Sequence, residues 1–300
     1  MKRVVSISLG SSKRDHQATA NFGGQEFFIE RIGTNGDKNK AIQLIRELDG
    51  QVDAFGMGGT DLYVYAGNKR YTFKESAQIA AAAKKTPIVD GSGIKNTLER
   101  RVVQYLTKAE GIDFKNKPVL VVCAIDRFGL AEELVAAGSN IVFGDLLFGL
   151  GLPIPLHSLT SLAMLSRIIV PIITKLPICL FYPTGDSQFQ NTPRFSRYFQ
   201  RAEIIAGDFH FIRRYMPDAL DGKLIITNTV TQEDEKLLQK RGIRTLVTTT
   251  PEIGERSFGT NILEGVLVVL SGKRQEELTV LDYERILDNI NIVPRVKRLS

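Results

Sequence analysis

The sequence predicts an α/β protein of two α/β domains, the second a Rossmann-like doubly wound parallel sheet. Three observations carry this reading. Apolar runs of strand length alternate with stretches whose hydrophobic residues recur at helical spacing. In the second half the run Val119–Cys123 is continuously apolar, as in a strand buried on both faces. Helical stretches separate these runs, which is what right-handed parallel crossovers require.

Taken in order, Lys2–Leu9 and Glu26–Ile32 read as strands. Ala41, Leu44, Ile45 and Leu48 then share a helical face before Gly50 ends the helix. Val52–Met57 is a short strand closed by Gly58-Gly59, and Leu62–Ala66 with Arg70–Phe73 alternate around Gly67-Asn68 as a hairpin. Ser76–Lys84 is helical, Pro87–Asp90 is a strand, and Leu98, Val102 and Leu106 stripe the next helix. The hydrophilic stretch Glu110–Lys117 is the expected boundary, giving domains at 1–116 and 117–272 and a C-terminal helix and tail at 273–300 packing back on the body. In the second domain, strand Val119–Cys123 leads to a helix carrying Leu130, Leu134 and Ala137, then strand Ile141–Phe143. An apolar segment broken by prolines follows, then Ile178–Phe181 as a further strand and a basic helix at Pro193–Arg201. Strands Ile204–Ala206, Leu224–Thr227 and Thr245–Thr248 come next. A Thr231/Asp234 capping pair opens the helix of Leu237 and Leu238. Ile262, Leu263, Val266, Leu267 and Leu270 form the last sheet-covering helix.

The 300 residues are 43% hydrophobic and 24% charged, with a net charge of +6, as in a packed globular chain. The positive excess is diffuse, so it suits a small anionic metabolite and not nucleic acid. Leu159–Phe181 is the most apolar stretch, but Arg167, Lys175, Pro171 and Pro177 interrupt it; a buried helical segment is expected, not a membrane span. Met1–Ser8 runs straight into strand-like alternation, unlike a signal peptide. Cys123 and Cys179, the only cysteines, fit no zinc or redox spacing. The expectation is a cytoplasmic protein with no metal and no membrane partner, with homo-oligomerisation open.

Open parallel sheets bind ligands beyond the carboxyl ends of their strands. Those ends are polar here: Asp126-Arg127, Asp145, Tyr182–Asp186, Asp208 to Arg214, Asn228 and Thr248-Thr249-Thr250. Any one of them is as well explained by capping of the following helix, but their number favours a shared rim. Ala124–Gly129 stands where a G-x-G-x-x-G fingerprint would, and keeps only its last glycine. Asp126 places negative charge where phosphate should lie, with Arg127 to offset it, and Asp145 stands at the ribose-binding position. This pattern supports a Rossmann-like topology but not classical dinucleotide binding; the residues that would face an NAD or NADP cofactor on this rim are Asp126, Arg127, Gly129, Asp145, Thr248, Thr249 and Asn261, the last in a second anion-binding turn at Arg256–Asn261. His210 is a candidate acid or base near neutrality, and Arg213 a grip for carboxylate or phosphate; an exposed basic helix face is the plainer alternative. His16 and His157 read as structural. In the first half, Ser11, Ser12 and Arg14 form a donor-rich turn after the first strand. Asp90–Thr97 joins a strand to a helix and carries Lys95, without the spacing of a Walker A loop. Gly56–Asp61, with Asp53, reads as the facing wall of an interdomain cleft.

Ser8–Asp15, Phe55–Leu62, Asp126–Gly129, Gly207–His210, Thr248–Pro251 and Ser257–Asn261 together resemble a family of bacterial proteins of this length labelled quinate 5-dehydrogenase, or quinate/shikimate dehydrogenase-like. The resemblance spans nearly the whole chain and implies NAD(P)-dependent oxidation of a ring hydroxyl on a cyclitol carboxylate. Shikimate dehydrogenases pair a catalytic Lys with an Asp in recognisable motifs, and their cofactor turn is glycine-rich. Neither pattern stands here in that form, and Lys95 with Asp61 or Asp90 is a conceivable substitute. The resulting expectation is an oxidoreductase with Lys95, His210 and Asp61 catalytic, and with Ser11, Ser12, Arg14 and Arg213 on the substrate. Two alternatives are a non-redox enzyme binding a phosphorylated or nucleotide-like metabolite and a non-catalytic metabolite-binding protein.

Overall fold

Strand Lys2–Ser8 has five consecutive buried residues, Val4 to Ser8, and successive side chains go to opposite faces. A strand buried this way needs a cover on each side, and it has both. In the computed structural model, which describes residues 1–67, 69–180, 189–253 and 256–299, Val5, Ile7, Phe55 and Met57 pack with Ala41 and Ile45 of helix Lys38–Leu48 and Ile79 of helix Lys74–Ala80. On the opposite face, Gly265 of helix Thr260–Ser271 stands against Val4, Ala54 and Val89.

The chain divides into two compact units, each built from three stretches. The first comprises Met1–Lys95, Ile169–Gln188 and Phe258–Ile292, and the second Asn96–Ile168, Phe189–Ser257 and Val293–Ser300. This differs from a break at Lys117. Glu110–Lys117 is hydrophilic because it is a loop inside the second unit, between helix Ser92–Lys108 and strand Pro118–Val121. The helix expected over the second sheet instead covers the first.

The first unit holds a five-stranded sheet in the order His16–Phe22, Gln25–Gly33, Lys2–Ser8, Ala54–Gly58, Ile88–Val89. All pairings are parallel except that of the edge strand His16–Phe22. The hairpin Tyr63–Ala66/Lys69–Thr72 forms as expected. The second unit holds a six-stranded sheet in the order Arg295–Arg298, Thr245–Thr248, Leu224–Thr227, Ile204–Ala206, Pro118–Val121, Asn140–Phe143. It is parallel apart from the edge strand Arg295–Arg298. Leu120, Val122, Phe148, Phe199, Phe209, Ile212 and Leu238 pack together in its core. Both units are α/β, and the second is the Rossmann-like doubly wound sheet that the apolar runs predict.

Helix Leu159–Ile173 runs through Pro171, which lies in its last turn. Ile178–Leu180 is a 3-10 turn where a strand was expected, and Tyr182–Asp186 lies outside the described residues. Among the described residues no helix is long and apolar enough to cross a membrane, and no group of His, Cys, Asp or Glu is arranged to hold a metal ion.

Candidate active site

The carboxyl ends of the first sheet's parallel strands gather Ser8–Arg14, Thr34-Asn35, Gly58–Asp61 and Asp90–Lys95 on one edge. Asp61 follows the turn after strand Ala54–Gly58, and Lys95 lies in the first turn of helix Ser92–Lys108. Lys95 Nζ lies 3.2 Å from each carboxylate oxygen of Asp61, and each side chain is 12% exposed. An ion pair this sheltered is held in place.

One buried carboxylate fixes the backbone on both sides of this pair. Asp90 Oδ2 accepts from Leu62 N (2.6 Å) and Tyr63 N (3.0 Å), beside Asp61. Its Oδ1 accepts from Ser92 N (3.1 Å) and Ser92 Oγ (2.6 Å), at the start of the helix that carries Lys95. Burial, then the charge of Asp61, raise the Asp90 carboxyl above its ordinary range. Behind Asp90 stands Glu264, fully buried on helix Thr260–Ser271. Its Oε2 accepts from Gly91 N at 2.7 Å, and its Oε1 from Tyr283 Oη at 3.0 Å and Gln275 Nε2 at 3.3 Å. Burial, then the charge of Asp90, lift Glu264 to about 7.

The same edge carries positive charge. Arg14 is 6% exposed, and Arg31 donates to Asp15 Oδ1 (2.8 Å), Ser11 O (3.0 Å) and Ser8 Oγ (2.9 Å). Burial, then the charge of Arg14, bring Arg31 down to about 10. Two guanidiniums that repel each other at a buried rim suit a ligand carboxylate. Ser11 is buried and caps the turn Ser12–Arg14 through its Oγ, which accepts from Lys13 N. Ser12 exchanges two hydrogen bonds with Asn35. The two serines shape the turn that carries Arg14.

On the second sheet, Asp126-Arg127, Asp145, Asp208, Asn228 and Thr248 do share the carboxyl-end edge, since their strands are mutually parallel neighbours. Asn261 does not belong with them: it lies in the first unit, where its Nδ2 donates to Ser6 Oγ at 2.7 Å. Arg127, 4% exposed, donates to Glu99 Oε1 at 2.6 Å and to Asp208 Oδ2 at 3.1 Å. Asp208 also accepts from Asn228 Nδ2 (2.7 Å) and caps its helix through His210 N (2.8 Å). Burial pushes the Asp208 carboxyl up, but the charges of His210 and Arg127 and these hydrogen bonds outweigh it and bring it to about 2. Arg213 is engaged by Asp234 at 2.5 Å and lies over the Phe189 ring, so it serves the fold where a ligand grip was expected. Thr248 Oγ1 donates to Thr250 O, and Thr249 N to Thr227 O; both threonines are buried. The His16 ring packs at a tilt against Phe258, and His157 meets the Ile141 carbonyl.

Residues 93–299 match the family described as Domain of unknown function (DUF8754), and residues 3–90 match Domain of unknown function (DUF8753). The chain belongs to the DUF8754 family. No curated protein matches it. Among solved structures, the NAD-dependent malic enzyme of Thermotoga maritima is similar at 13% identity and a TM-score of 0.32, over 82% of this chain and 65% of that one. The DUF8754 protein thus spans less than two thirds of that enzyme. The Trypanosoma brucei methylenetetrahydrofolate dehydrogenase-cyclohydrolase, solved with NADP cofactor and inhibitor, is similar at 11% identity and a TM-score of 0.36, over 90% and 87%. A sugar-transport substrate-binding protein of Bordetella parapertussis is similar at 13% identity and a TM-score of 0.35, over 92% and 81%. These likenesses assign no residue of the DUF8754 protein.

A dinucleotide pyrophosphate would rest on the first turn of the second sheet, and that turn can be tested for fit in this DUF8754 member. Ala124 N and Ile125 N both donate to Asp145 Oδ1 at 2.9 Å, so the chain's own carboxylate takes these amides. Burial lifts Asp145 to about 6 despite those bonds. Arg127, expected to offset phosphate charge, is committed to two carboxylates. Gly129 is needed for packing: a Cβ there would lie 2.7 Å from Asn96 O, and its N–H donates to Asn96 Oδ1. As folded, the turn does not fit a pyrophosphate, which corrects the roles given to Arg127 and Gly129. The residues that the sequence missed are Glu264, Tyr283, Arg31 and Glu99. Glu264 did leave a signal, being the one charged residue in the apolar run Ile262–Leu270.

Proposed function

We propose that this protein is a cytoplasmic oxidoreductase acting on a hydroxy acid of quinate/shikimate type, with its working groups on the carboxyl-end edge of the first sheet. The observation that carries the reading is the Lys95–Asp61 pair. Oxidising a ring hydroxyl requires a base for its proton; the Lys95 ammonium must first release a proton to solvent, after which the amine takes the hydroxyl proton and Asp61 holds the ammonium that re-forms. Arg14 and Arg31 supply positive charge for the substrate carboxylate, a small anionic metabolite being the expected partner. The family resemblance implies NAD or NADP as the oxidant. No seat for it is assigned to the turn at Ala124–Gly129, and the arrangement there favours a second reading, a non-redox enzyme or a binding protein for a phosphorylated metabolite.

Titration with NADH and NADPH, and assays of quinate and shikimate with NAD⁺ and NADP⁺, separate the two. The first reading expects saturable cofactor binding and substrate-dependent reduction. Lys95→Ala is then expected to lower kcat by at least about 100-fold, the low end of general-base contributions, with cofactor binding unchanged. Flat titrations with both cofactors would remove the redox reading. Thermal stabilisation by phosphorylated metabolites in their place would support the second.

A further inference from the structure

We infer that Glu264 is a positioning residue for the Lys95–Asp61 pair, and that the ionisation of its carboxylate sets how that pair is held. The inference rests on the reading above only for what the pair does; the coupling itself stands on geometry.

The path is one residue long. Gly91 gives its N–H to Glu264 Oε2 at 2.7 Å, while its carbonyl accepts from Lys95 N at 2.9 Å and from Ile94 N at 3.2 Å. The peptide units of Gly91 therefore join a buried carboxylate to the first turn of the helix that aims Lys95. A second path runs through Asp90. Its charge acts on Glu264, it is itself acted on by Asp61 and Lys95, and it binds the backbone at Leu62 and Tyr63 just after Asp61.

A hydrogen bond from an N–H to an ionised carboxylate is roughly twice as strong as one to a neutral group. Protonating Glu264 therefore loosens Gly91 and removes a negative charge beside Asp90. Burial and the Asp90 charge put this change at about pH 7. Among the described residues, the titratable and charged groups facing Glu264 come from three neighbouring elements and the Gly91 turn. Asp90 precedes the Gly91 turn, Tyr283 comes from helix Val280–Asn289, and Glu276 flanks Gln275. Tyr63, Tyr65 and Arg70 come from the hairpin and line, with Glu264, Gly93 and Tyr283, a pocket of about 170 Å³. Burial, then Glu264 itself, raise Tyr283 so far that it stays neutral and donating. Ser6 and Asn261 on the adjoining sheet face carry no charge.

The test needs no substrate. NMR of the full-length protein between pH 5.5 and 8.5 follows the Gly91 amide and the Lys95 side chain. The wild type is expected to show one step common to both, with a midpoint near 7. In Glu264→Gln, which keeps an acceptor for Gly91 but cannot ionise, the step should vanish from both signals. In Tyr283→Phe, which removes a bond that favours the ionised form, the midpoint should move upward; this variant carries the test if Glu264→Gln does not fold. A wild-type protein without the common step, a step that survives unchanged in Glu264→Gln, or a midpoint unmoved in Tyr283→Phe would each overturn the inference. A clear step in a protein that turns over neither quinate nor shikimate would sink the dehydrogenase reading and leave this coupling standing. Turnover without a step would do the reverse.

Discussion

Arg127 shows how a single side chain decides between a ligand site and a structural one. Held by Glu99 and Asp208 and 4% exposed, it cannot be removed without taking a positive charge from beside the Glu99 carboxylate, which is 1% exposed. Breaking a buried pair from one side typically costs about 3–5 kcal/mol. Arg127→Met should therefore lower the unfolding free energy in urea by about that much. A loss below about 1 kcal/mol would mean that water reaches these carboxylates. The sequence revealed Arg127's position at a strand end but not its partners, because Glu99 and Asp208 are 28 and 81 residues away. Lys95 was legible with either Asp61 or Asp90 as its partner: all three stand shortly after strand ends, in a turn or in the first turn of the next helix, and parallel neighbours bring such segments together. Glu264 was not, since its contact with Gly91 spans 173 positions.

Elements were legible where local chemistry specifies them. Thr231 and Asp234 form the capping box that their spacing predicts. Asp234 has a second task, since it also holds Arg213. Thr231→Ala is expected to cost about 1 kcal/mol, the usual value for a lost N-cap. Asp234→Ala should cost more, because Arg213, only 16% exposed at its side chain, loses its carboxylate as well. Equal losses in urea melts of the two variants would show that the Arg213 bond contributes nothing. Two of the strands that escaped notice are edge strands. His16–Phe22 alternates between half-buried and exposed positions along most of its length, and Arg295–Arg298 is mostly charged. Charged, weakly buried sequence is how natural sheets protect their edges, and it hides the strand signal.

At the scale of the whole chain, the contiguous domains suggested by composition give way to two units that each draw on three stretches. Periodicity shows that a helix covers a sheet without saying which sheet: the Thr260–Ser271 helix is apolar enough for either, and it is Gly265 against Val4 that places it on the first. Burial of acids in both units then sets the pH response. Glu264 rises from 4.5 to about 7 and Asp145 from 3.8 to about 6 on folding. A carboxyl raised in this way binds its proton more tightly when folded, so its stabilisation is complete below the unfolded value and is lost as pH climbs through the folded one. Asp208, brought down to about 2, works in the opposite sense: its contribution is present above 3.8 and disappears as the solution is acidified toward 2. The lowered carboxyls of Asp53, Glu75 and Glu235 share that sense. Between pH 5 and 8 the lowered carboxyls are almost wholly ionised in both states, and among the shifted carboxyls it is the raised ones that still change. The melting temperature should therefore fall across that range. Asp145→Asn and Glu264→Gln, which remove the two ionisations, should each flatten the decline, and the double variant should flatten it most. A profile equally steep in all four proteins would show that these carboxyls are not buried as the two sheets place them.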